Sequence, residues 1–413
     1  MHASPLPVLL NVQAPVHITG LGIVSALGNG VPSNLNALLN ERTGIGPITR
    51  LNTRYAATLP AAEVKYTNDE LADLAGLDAP YGWTRTALLG LNAVQEALAQ
   101  AGIDPTSARV GFISASTAGG MDSSEGMYGQ FFTEPPGPDA QQWVATHDPG
   151  EHTERIAAEL GITGFVTTIS TACSSSANAI MLGVRLIRAG KLDVVIAGGA
   201  DALSRYTVNG FNSLMILDHT LCRPMDRSRA GLNLGEAAAY VVLESEAHVR
   251  ARNAKSHGLV SGYANTNDAF HATASSPEGE GAFLAMSQAL HTAGLKSGDI
   301  DHINVHGTGT LNNDLSESRA LIRLFGDRLP PFTSTKTFTG HTLAAAGAVE
   351  AIYALLAIGH GVLFANLRFE HPLVEVPIVP VLKTTHRQRL RHVLSSSFGF
   401  GGNNTSLVIS APR

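Results

Sequence analysis

The sequence predicts an α/β protein, because short apolar strands alternate along the chain with alanine-rich helices. Of the 413 residues, 44% are hydrophobic and 15% are charged, which is enough apolar material for a large buried core. The region 165–197 shows the pattern most clearly, with a strand over 165–170, a helix over 174–189 closed by Gly190, and a strand over 194–197. Because these strands are apolar throughout, we expect a parallel sheet covered on both faces.

The other elements follow from the same patterns in chain order. The apolar run 16–24 predicts a strand, and a helix follows from about Ser33, which we expect to cap its first turn. A helical period over 84–101 ends at a glycine, and the segment 110–114 indicates the next strand. Far downstream, the run 343–353 is small and apolar on all sides, which is typical of a buried helix.

A weak internal repeat indicates two similar halves. The pattern Ala-Leu-x-x-Ala-Gly-aliphatic occurs at 97–103 and again at 289–295, each time ahead of a predicted strand. We therefore expect an N-terminal half over 16–255 and a C-terminal half over 256–413, preceded by a short tail over 1–15. The junction of two such halves is a usual place for a ligand pocket.

Composition excludes several classes of protein. Two cysteines cannot build a disulfide framework or a four-cysteine zinc site, so a reducing cytoplasm is the expected location. A net charge of −6 argues against nucleic acid as a general partner. No apolar run approaches the ~20 residues that span a bilayer, and the run 7–10 lacks the basic flank of a signal peptide. We therefore expect neither a membrane span nor a leader.

One cysteine occupies a position suited to catalysis. Cys173 lies within 168–176, where an apolar strand runs directly into a helix. Free N–H groups and the positive end of the helix dipole favour the thiolate there, and the thiolate is the form that attacks carbonyl groups. By residue type alone an inert buried thiol is the commoner outcome, and that is how we interpret Cys222.

Two histidines lie far downstream, each in its own glycine-rich turn: His306 within 305–310 and His341 within 336–341. A cysteine with one histidine is compatible with a hydrolase, an amidase or a transferase. A second histidine indicates a further step, such as loss of CO2 from a malonyl thioester, where two N–H donors would stabilise the enolate. Either histidine alone could equally be a core residue bonded to a carbonyl group.

Together with several other stretches, these motifs resemble the beta-ketoacyl-[acyl-carrier-protein] synthases, the elongating condensing enzymes with a Cys-His-His triad on the thiolase fold. The matching stretches follow the family's order from about residue 16 to residue 410. They are 171–175, 222–226, 235–236, 306–310 with Asp314 and Glu317, Lys336 with 340–341, and 397–402. The resemblance implies a thiolase fold, with two similar α/β halves in a five-layered αβαβα arrangement around buried central helices.

The resemblance also implies the catalytic roles. Cys173 would take the acyl group from a carrier protein as a thioester. His306 and His341 would bind the malonyl thioester carbonyl and promote decarboxylation. The backbone N–H groups of Cys173 and Phe400 would form the oxyanion hole, and Phe400 would also act as a gate. Lys336 would support the two histidines electrostatically.

The resemblance further implies a set of supporting and substrate-binding residues. Two buried acids would support the site, Asp314 and Glu317, with Glu317 paired to Lys336. The substrate-binding positions are Thr308, Thr310, Phe398 and Ala118. The weakest implication is a monovalent cation near Asn304, Glu350 and Ser395. Because Ala118 replaces a larger aliphatic residue, we expect a roomier acyl pocket that takes long or bulky chains.

The same motifs separate the chain from other members of the fold. Thiolases resemble it but carry a second cysteine as base where this sequence has 398–400, and chain-initiating synthases resemble Cys-His-Asn sites. Non-catalytic chain-length partners lack the nucleophilic cysteine, and this chain keeps it. Two alternatives remain open, namely a partner subunit of a heterodimeric synthase and a Cys-His hydrolase or amidase.

The sequence therefore predicts a cytoplasmic homodimeric acyltransferase that condenses an acyl thioester with malonyl-[acyl-carrier-protein]. Its partners would be acyl-carrier protein and malonyl-acyl-carrier protein, with no nucleic acid, membrane or metal. No cofactor is implied, since the substrates arrive on phosphopantetheine. Fatty acid elongation is the favoured pathway, and a specialised polyene, pigment or polyketide pathway is the alternative. The acyl chain length and the identity of the carrier protein stay open.

Overall fold

The computed structural model describes residues 14–107, 109–128, 143–387 and 389–412. Apart from its last two residues, the tail predicted over 1–15 lies outside the described residues. The strands are β1 (Val16–Ser25), β2 (Gly28–Asn29), β3 (Val110–Ala115), β4 (Val166–Ile169), β5 (Val194–Asp201), β6 (Ala237–Ser245), β7 (Gly258–Asn267), β8 (His302–Asn304), β9 (Phe332–Thr333), β10 (Val362–Leu363), β11 (Thr385–His386), β12 (His392–Gly399) and β13 (Asn403–Ser410).

The α-helices of the described residues are α1 (Val31–Leu39), α2 (Asn68–Ala75), α3 (Arg85–Ala101), α4 (Met121–Ser124), α5 (Glu151–Glu159), α6 (Ser175–Arg188), α7 (Arg205–Ser213), α8 (Glu246–Ala251), α9 (Glu280–Ala293), α10 (Leu311–Phe325), α11 (Lys336–Thr339) and α12 (Ala346–His360). Short 3-10 turns cover Leu343–Ala345 and Phe400–Gly402. The strands and helices predicted from the sequence are all present, within a few residues of their expected ends.

The strands form two five-stranded groups with the same topology. The first runs β4-β3-β5-β6-β1 and the second β9-β8-β12-β13-β7. In each group the first three strands pair in parallel, and the last two pairings are antiparallel, so only the fourth strand runs in the opposite direction. The groups meet where β1 pairs with β7 through His17↔Leu259 and Ile18↔Gly258. The match between the groups confirms the expected pair of similar halves.

Helices cover both faces of each group. Helix α3 packs on the outside of β1 and β6, and α9 packs on the outside of β7 and β13. Between the groups lie α6, against β3 and β5, and α12, against β12 and β6. The layers therefore run helix, sheet, helices, sheet, helix, as the thiolase fold predicts.

The two central helices approach each other closely. A Cβ atom on Gly347 would lie 2.7 Å from the Cβ atom of Ala177, so the contact requires glycine. The segment Leu343–His360 is long and apolar enough to cross a membrane, with a mean hydropathy of 1.6, but 83% of it is buried inside the protein. Its apolar surface is therefore used in the core, as expected for a buried helix.

The internal repeat marks equivalent positions in the two halves. The first copy ends α3 ahead of β3, and the second ends α9 ahead of β8. The main-chain carbonyls of these helices lie directly over glycines of the sheet, Ala97 over Gly20 and Ala289 over Gly262. The boundary expected near residue 255 falls between α8 and β7, and as a domain boundary it stays a prediction.

The predicted cap of the first helix is wrong. Helix α1 begins at Val31, so Ser33 lies inside the first turn, and Gly30 precedes the helix without a capping side chain. Pro32 fits this first turn because it needs no N–H acceptor there. The Val31 N–H donates instead to the Glu96 carboxylate at 2.8 Å, which replaces a local cap.

Candidate active site

Cys173 lies in the sharp connection between β4 and α6. The residue before it, Ala172, has φ of 53°, a left-handed conformation that is unusual outside glycine. The Ser175 hydroxyl donates to the Ala172 carbonyl at 2.6 Å and accepts the Thr171 N–H at 2.8 Å. These bonds hold the turn so that the thiol, although only 5% exposed, lines a cavity.

The resting thiol is not activated in the way that its position at the helix start suggested. Burial raises the pKa of Cys173 to about 11, despite the opposing effects of the Lys336 charge and of the Phe400 N–H group. The loss of water around the sulfur therefore outweighs the helix end. We expected a thiolate, and the structure instead gives a neutral thiol that must lose its proton as it reacts.

The two histidines lie edge to face beside this thiol. Their ring centroids are 5.4 Å apart, and the ring of Phe398 lies 5.7 Å from that of His306. Burial, followed by the nearby Lys336 charge, holds the pKa of both imidazoles well below 6.5. Both rings are therefore neutral at physiological pH, and each can offer one N–H donor.

Lys336 fixes the tautomer of one ring. Its Nζ lies 3.4 Å from Nδ1 of His306, and an ammonium group can only donate. His306 Nδ1 must therefore be the acceptor, which leaves the ring proton on Nε2. The ion pair of Lys336 is with Glu350 of α12, and the pairing with Glu317 that we expected is wrong.

Glu317 and Asp314 hold the loop that carries His306. Glu317 accepts the main-chain N–H of His306 at 2.7 Å and that of Gly307 at 2.8 Å. Burial raises the pKa of Glu317 to about 8, even though these N–H groups and Lys336 act against it. Asp314 accepts the N–H of Gly309 at 3.2 Å. Both acids therefore support the loop by accepting its main-chain N–H groups.

Two cavities meet at Cys173. The first, of about 220 Å³, is the one that the predicted catalytic and pantetheine-binding residues share. Its lining includes Cys173, His306, His341, Thr308, Thr310, Phe398 and Phe400. The two threonine hydroxyls lie 2.9 Å apart. The thiol therefore opens into one space with two histidines that lie more than 130 residues after it in the sequence.

The second cavity, of about 480 Å³, lies on the other side of Phe400. It contains Ala118 together with Cys173, Phe211, Leu343 and Phe400 among its lining residues. The Phe400 ring stacks on Phe211 with centroids 5.7 Å apart. Phe400 and Phe211 line both cavities, so Phe400 occupies the position expected of a gate between them.

The chain matches known proteins along almost its whole length. Residues 13–248 match the model of the beta-ketoacyl synthase N-terminal domain, and residues 257–370 match that of the C-terminal domain. The chain belongs to the beta-ketoacyl synthase family. The synthase is a condensing acyltransferase, in agreement with the resemblance seen in its motifs.

Two curated relatives of the synthase share a name. A Staphylococcus aureus 3-oxoacyl-[acyl-carrier-protein] synthase 2 is 32% identical over 402 residues, covering 95% of this chain and 99% of its own. A protein of the same name from Coxiella burnetii is 33% identical over 408 residues, covering 96% and 98%.

Solved ketosynthase structures share the fold of the synthase. A structure of the ishigamide ketosynthase/chain length factor superposes with a TM-score of 0.91 at 30% identity, covering 97% of this chain and 100% of that one. The ketosynthase ApeO in complex with its chain length factor ApeC, from Xenorhabdus doucetiae, gives 0.83 at 31% identity, with full coverage of both chains.

The weakly implied cation site of the synthase is only partly suited to an ion. Asn304 and Ser395 face each other across the parallel pair β8 and β12, and Glu350 Oε2 is buried without a partner in the described chain. However, Glu350 already pairs with the ammonium group of Lys336, and Asn304 Nδ2 is an unpartnered donor. No cluster of three or more His, Cys, Asp or Glu side chains suited to a metal occurs among the described residues. The cation therefore stays a prediction.

The sequence patterns missed one structural support of the synthase site. The carbonyl of Asn233 accepts the His341 N–H at 2.7 Å, and its side chain accepts the Cys222 N–H at 2.7 Å. Asn233 thereby fixes the backbone of His341, one of the two histidines predicted to be catalytic. Its position two residues before the 235–236 motif was the available signal, but nothing in its residue type pointed to His341.

Proposed function

We propose that the synthase condenses an acyl thioester with malonyl-[acyl-carrier-protein] to give 3-oxoacyl-[acyl-carrier-protein] in fatty acid elongation. The observation that carries this proposal is the shared cavity, into which one thiol and two neutral imidazoles open together. A hydrolase or amidase would use the thiol and one histidine, and it would leave the second histidine without a task. Acyl-carrier protein and its malonyl form are the proposed partners, and the cytoplasm is the proposed location.

The first step is transfer of the acyl group to Cys173. Sulfur attacks the acyl thioester carbonyl, and the tetrahedral oxyanion accepts the N–H groups of Cys173 and Phe400. The carbon–sulfur bond to the carrier breaks, and the thiol proton leaves with the pantetheine sulfur. Because the pKa of Cys173 is about 11, little free thiolate exists at neutral pH and deprotonation accompanies attack.

The second step is decarboxylation and carbon–carbon bond formation. His306, with its proton on Nε2, and His341 donate to the malonyl thioester oxygen as CO2 departs and the enolate forms. The enolate carbon attacks the acyl-Cys173 carbonyl, the carbon–sulfur bond breaks, and Cys173 leaves as a thiolate that takes a proton from water. Neutral donors suit this step because they need not gain or lose a proton.

Intact-protein mass spectrometry tests the whole proposal. The purified chain is mixed with acyl-carrier protein, with and without malonyl-carrier protein. We expect acyl mass on Cys173 that is discharged, on addition of malonyl-carrier protein, as a chain two carbons longer. Absence of acylation would favour the partner-subunit alternative. Loss of the acyl group as free acid without malonyl-carrier protein would favour the hydrolase.

A specialised polyketide or polyene pathway is the second candidate, because two ketosynthase structures at 30% and 31% identity belong to assemblies with a chain length factor. A homodimer is the assembly that we propose for the synthase. Light scattering of the pure chain distinguishes this homodimer from a heterodimer with a second synthase subunit. A chain that stays monomeric and inactive until such a subunit is added would support the heterodimer.

Protonation of the two histidines tests the basis of the second step. Because the pKa values of His306 and His341 lie well below 6.5, we expect both rings to stay neutral from pH 8 down to about pH 6. Decarboxylation should therefore show no loss with a midpoint near 6.5. Nitrogen-15 NMR of histidine-labelled protein, assigned with the two single variants, reads the ring state directly. Imidazolium shifts from either ring at pH 6 would contradict the proposal.

Narrowing the second cavity tests the role of Ala118. In Ala118→Leu we expect turnover of a dodecanoyl carrier substrate to fall by about tenfold or more, because the added methyl groups occupy space that a long chain needs. Turnover of a butyryl carrier substrate serves as the internal control and should change by less than about twofold. A sharp preference of the unaltered protein for short chains would remove the basis for a roomy pocket.

A further inference from the structure

A buried carboxylate lies directly behind the second cavity and has no assigned role. Asp201 ends β5 and is fully buried, yet no ion pair within the described chain includes it. Five neutral donor groups from two separate segments surround its two oxygens instead. Both segments form walls of the cavity that contains Cys173.

The first wall is the segment that follows β3. The Ser116 hydroxyl donates to Asp201 Oδ1 at 2.6 Å, and the Thr117 hydroxyl donates to Oδ2 at 2.6 Å. The N–H groups of Thr117 and Ala118 donate to Oδ1 at 3.0 and 3.2 Å. Thr117 and Ala118 line the cavity, so the carboxylate fixes this wall through both backbone and side chains.

The second wall is the turn ahead of the central helix α12. The Ala344 N–H donates to Asp201 Oδ2 at 2.8 Å. The preceding residue, Leu343, lines the cavity with φ of 53°, a left-handed conformation that leucine adopts only at a cost. A fixed acceptor for the next N–H group is what holds Leu343 there.

We propose that Asp201 is a positioning residue that sets the acyl-chain selectivity of the synthase, by holding the Thr117–Ala118 and Leu343 walls of the second cavity at a fixed separation. The inference rests on the proposed function, since it requires that this cavity receive the acyl chain. Asp201 touches neither thiol nor imidazole in this role and acts through the two walls.

The chemistry of the group explains why a carboxylate is needed. Two oxygens can accept five donors, whereas an asparagine offers one oxygen and presents an NH2 group to the remaining donors. In Asp201→Asn, an amide whose oxygen takes the Oδ1 position keeps the bonds from the Ser116 hydroxyl and from the Thr117 and Ala118 N–H groups. Its NH2 group then replaces Oδ2 and faces the Thr117 hydroxyl, which can accept from it, and the Ala344 N–H, which cannot. Leu343 then loses its anchor and the wall that it forms is free to relax.

The test compares chain lengths within each variant. Acylation of Cys173 is followed by intact mass with hexanoyl and dodecanoyl carrier protein, and the ratio of the two kcat/KM values is the readout. The Asp201 charge also raises the pKa of Cys173, but that effect acts on both substrates and cancels in the ratio. We expect the ratio in Asp201→Asn to shift by at least about fivefold.

Glu244→Gln is the matched control. Glu244 is also a fully buried carboxylate, bonded to Arg252 and His248 at the opposite end of the β5–β6 pair, about 23 Å away by strand length. It should lower the melting temperature without moving the ratio. If Asp201→Asn does not fold, Ser116→Ala tests the role of Asp201 instead. This substitution removes one donor to Asp201 and lies outside the cavity lining. We expect a shift of at least about twofold there.

The outcomes separate the two proposals. An unaltered chain that takes no acyl group from either carrier overturns the proposed function. An unaltered chain that is acylated, with folded variants whose ratio stays within about twofold of its own, overturns the role of Asp201 alone. An equal shift in Glu244→Gln also overturns it, since selectivity would then follow general stability.

Discussion

Replacing Cys173 with alanine is expected to abolish acyl transfer, lowering condensation by about 10⁴-fold or more. The thiol is the proposed nucleophile, and it lines the cavity shared with both histidines. Decarboxylation of malonyl-carrier protein should persist in this variant, because the proposed donors to the enolate are His306 and His341, which the substitution leaves in place. Measuring CO2 release and 3-oxoacyl product separately distinguishes the two steps.

The other cysteine supplies the control for this experiment. Cys222 is also buried, but its sulfur faces the Lys336 carbonyl at 3.7 Å and lines neither cavity at the site. Cys222→Ala should therefore keep the acyl adduct on the protein. An adduct that survives in Cys173→Ala and disappears in Cys222→Ala would show that Cys222 is the nucleophile, contrary to our proposal.

Replacing Lys336 with methionine is expected to lower condensation by about 10²-fold or more, because His306 loses the donor that keeps its proton on Nε2. The variant should also lose about 3 kcal/mol of stability at pH 8.5, since Glu350 is left buried without its partner. Denaturant unfolding and steady-state condensation assays measure the two effects independently.

The stability loss has a defined pH dependence. Burial already raises the pKa of Glu350 from 4.5 to about 7, and removing the ammonium group raises it further. Between pH 4.5 and about 7 both folded proteins hold a proton on Glu350 that the unfolded chain releases, so both lose stability alike as pH rises. Above about 7 only the variant keeps this proton, so only its stability continues to fall. The loss should therefore be smaller at pH 5.5 than at pH 8.5.

A second substitution separates stability from catalysis. Lys336→Met with Glu350→Gln should recover most of the stability and little of the activity, because it removes the buried charge without restoring the donor to His306. Lys336→Met with Glu317→Gln is the matched control and should recover neither, because Glu317 bonds the loop backbone instead. If stability recovers in Lys336→Met with Glu317→Gln and not in Lys336→Met with Glu350→Gln, then Glu317 is the partner of Lys336 after all.

The sequence was informative where local patterns decide the structure. The strand, turn and helix around Cys173 lie within one short stretch, and the turns of His306 and His341 are marked by their own glycines, so each could be predicted from its neighbours. The repeat at the ends of α3 and α9 predicted two halves, because each copy is one helix end packed on its own sheet.

Features that depend on distant packing were not predictable in this way. From the sequence, either Glu317 or Glu350 could have been the partner of Lys336. Only the position of α12 shows that the partner is Glu350. The helix start suggested a thiolate at Cys173, but the extent of burial, which comes from all layers together, reverses the effect. Ser33 had the right residue type for a cap, and a contact from Glu96 on another helix moved the helix start.

The close contact of the central helices also bears on how the protein is made. During synthesis the first half, with Cys173, leaves the ribosome before Gly347 and the rest of α12 exist to cover α6. Until then the face of α6 that meets α12 is uncovered, and neither His306 nor His341 is in place. A nascent chain is therefore expected to carry Cys173 without its two histidines, and the enzyme can become competent only after its last third has been translated.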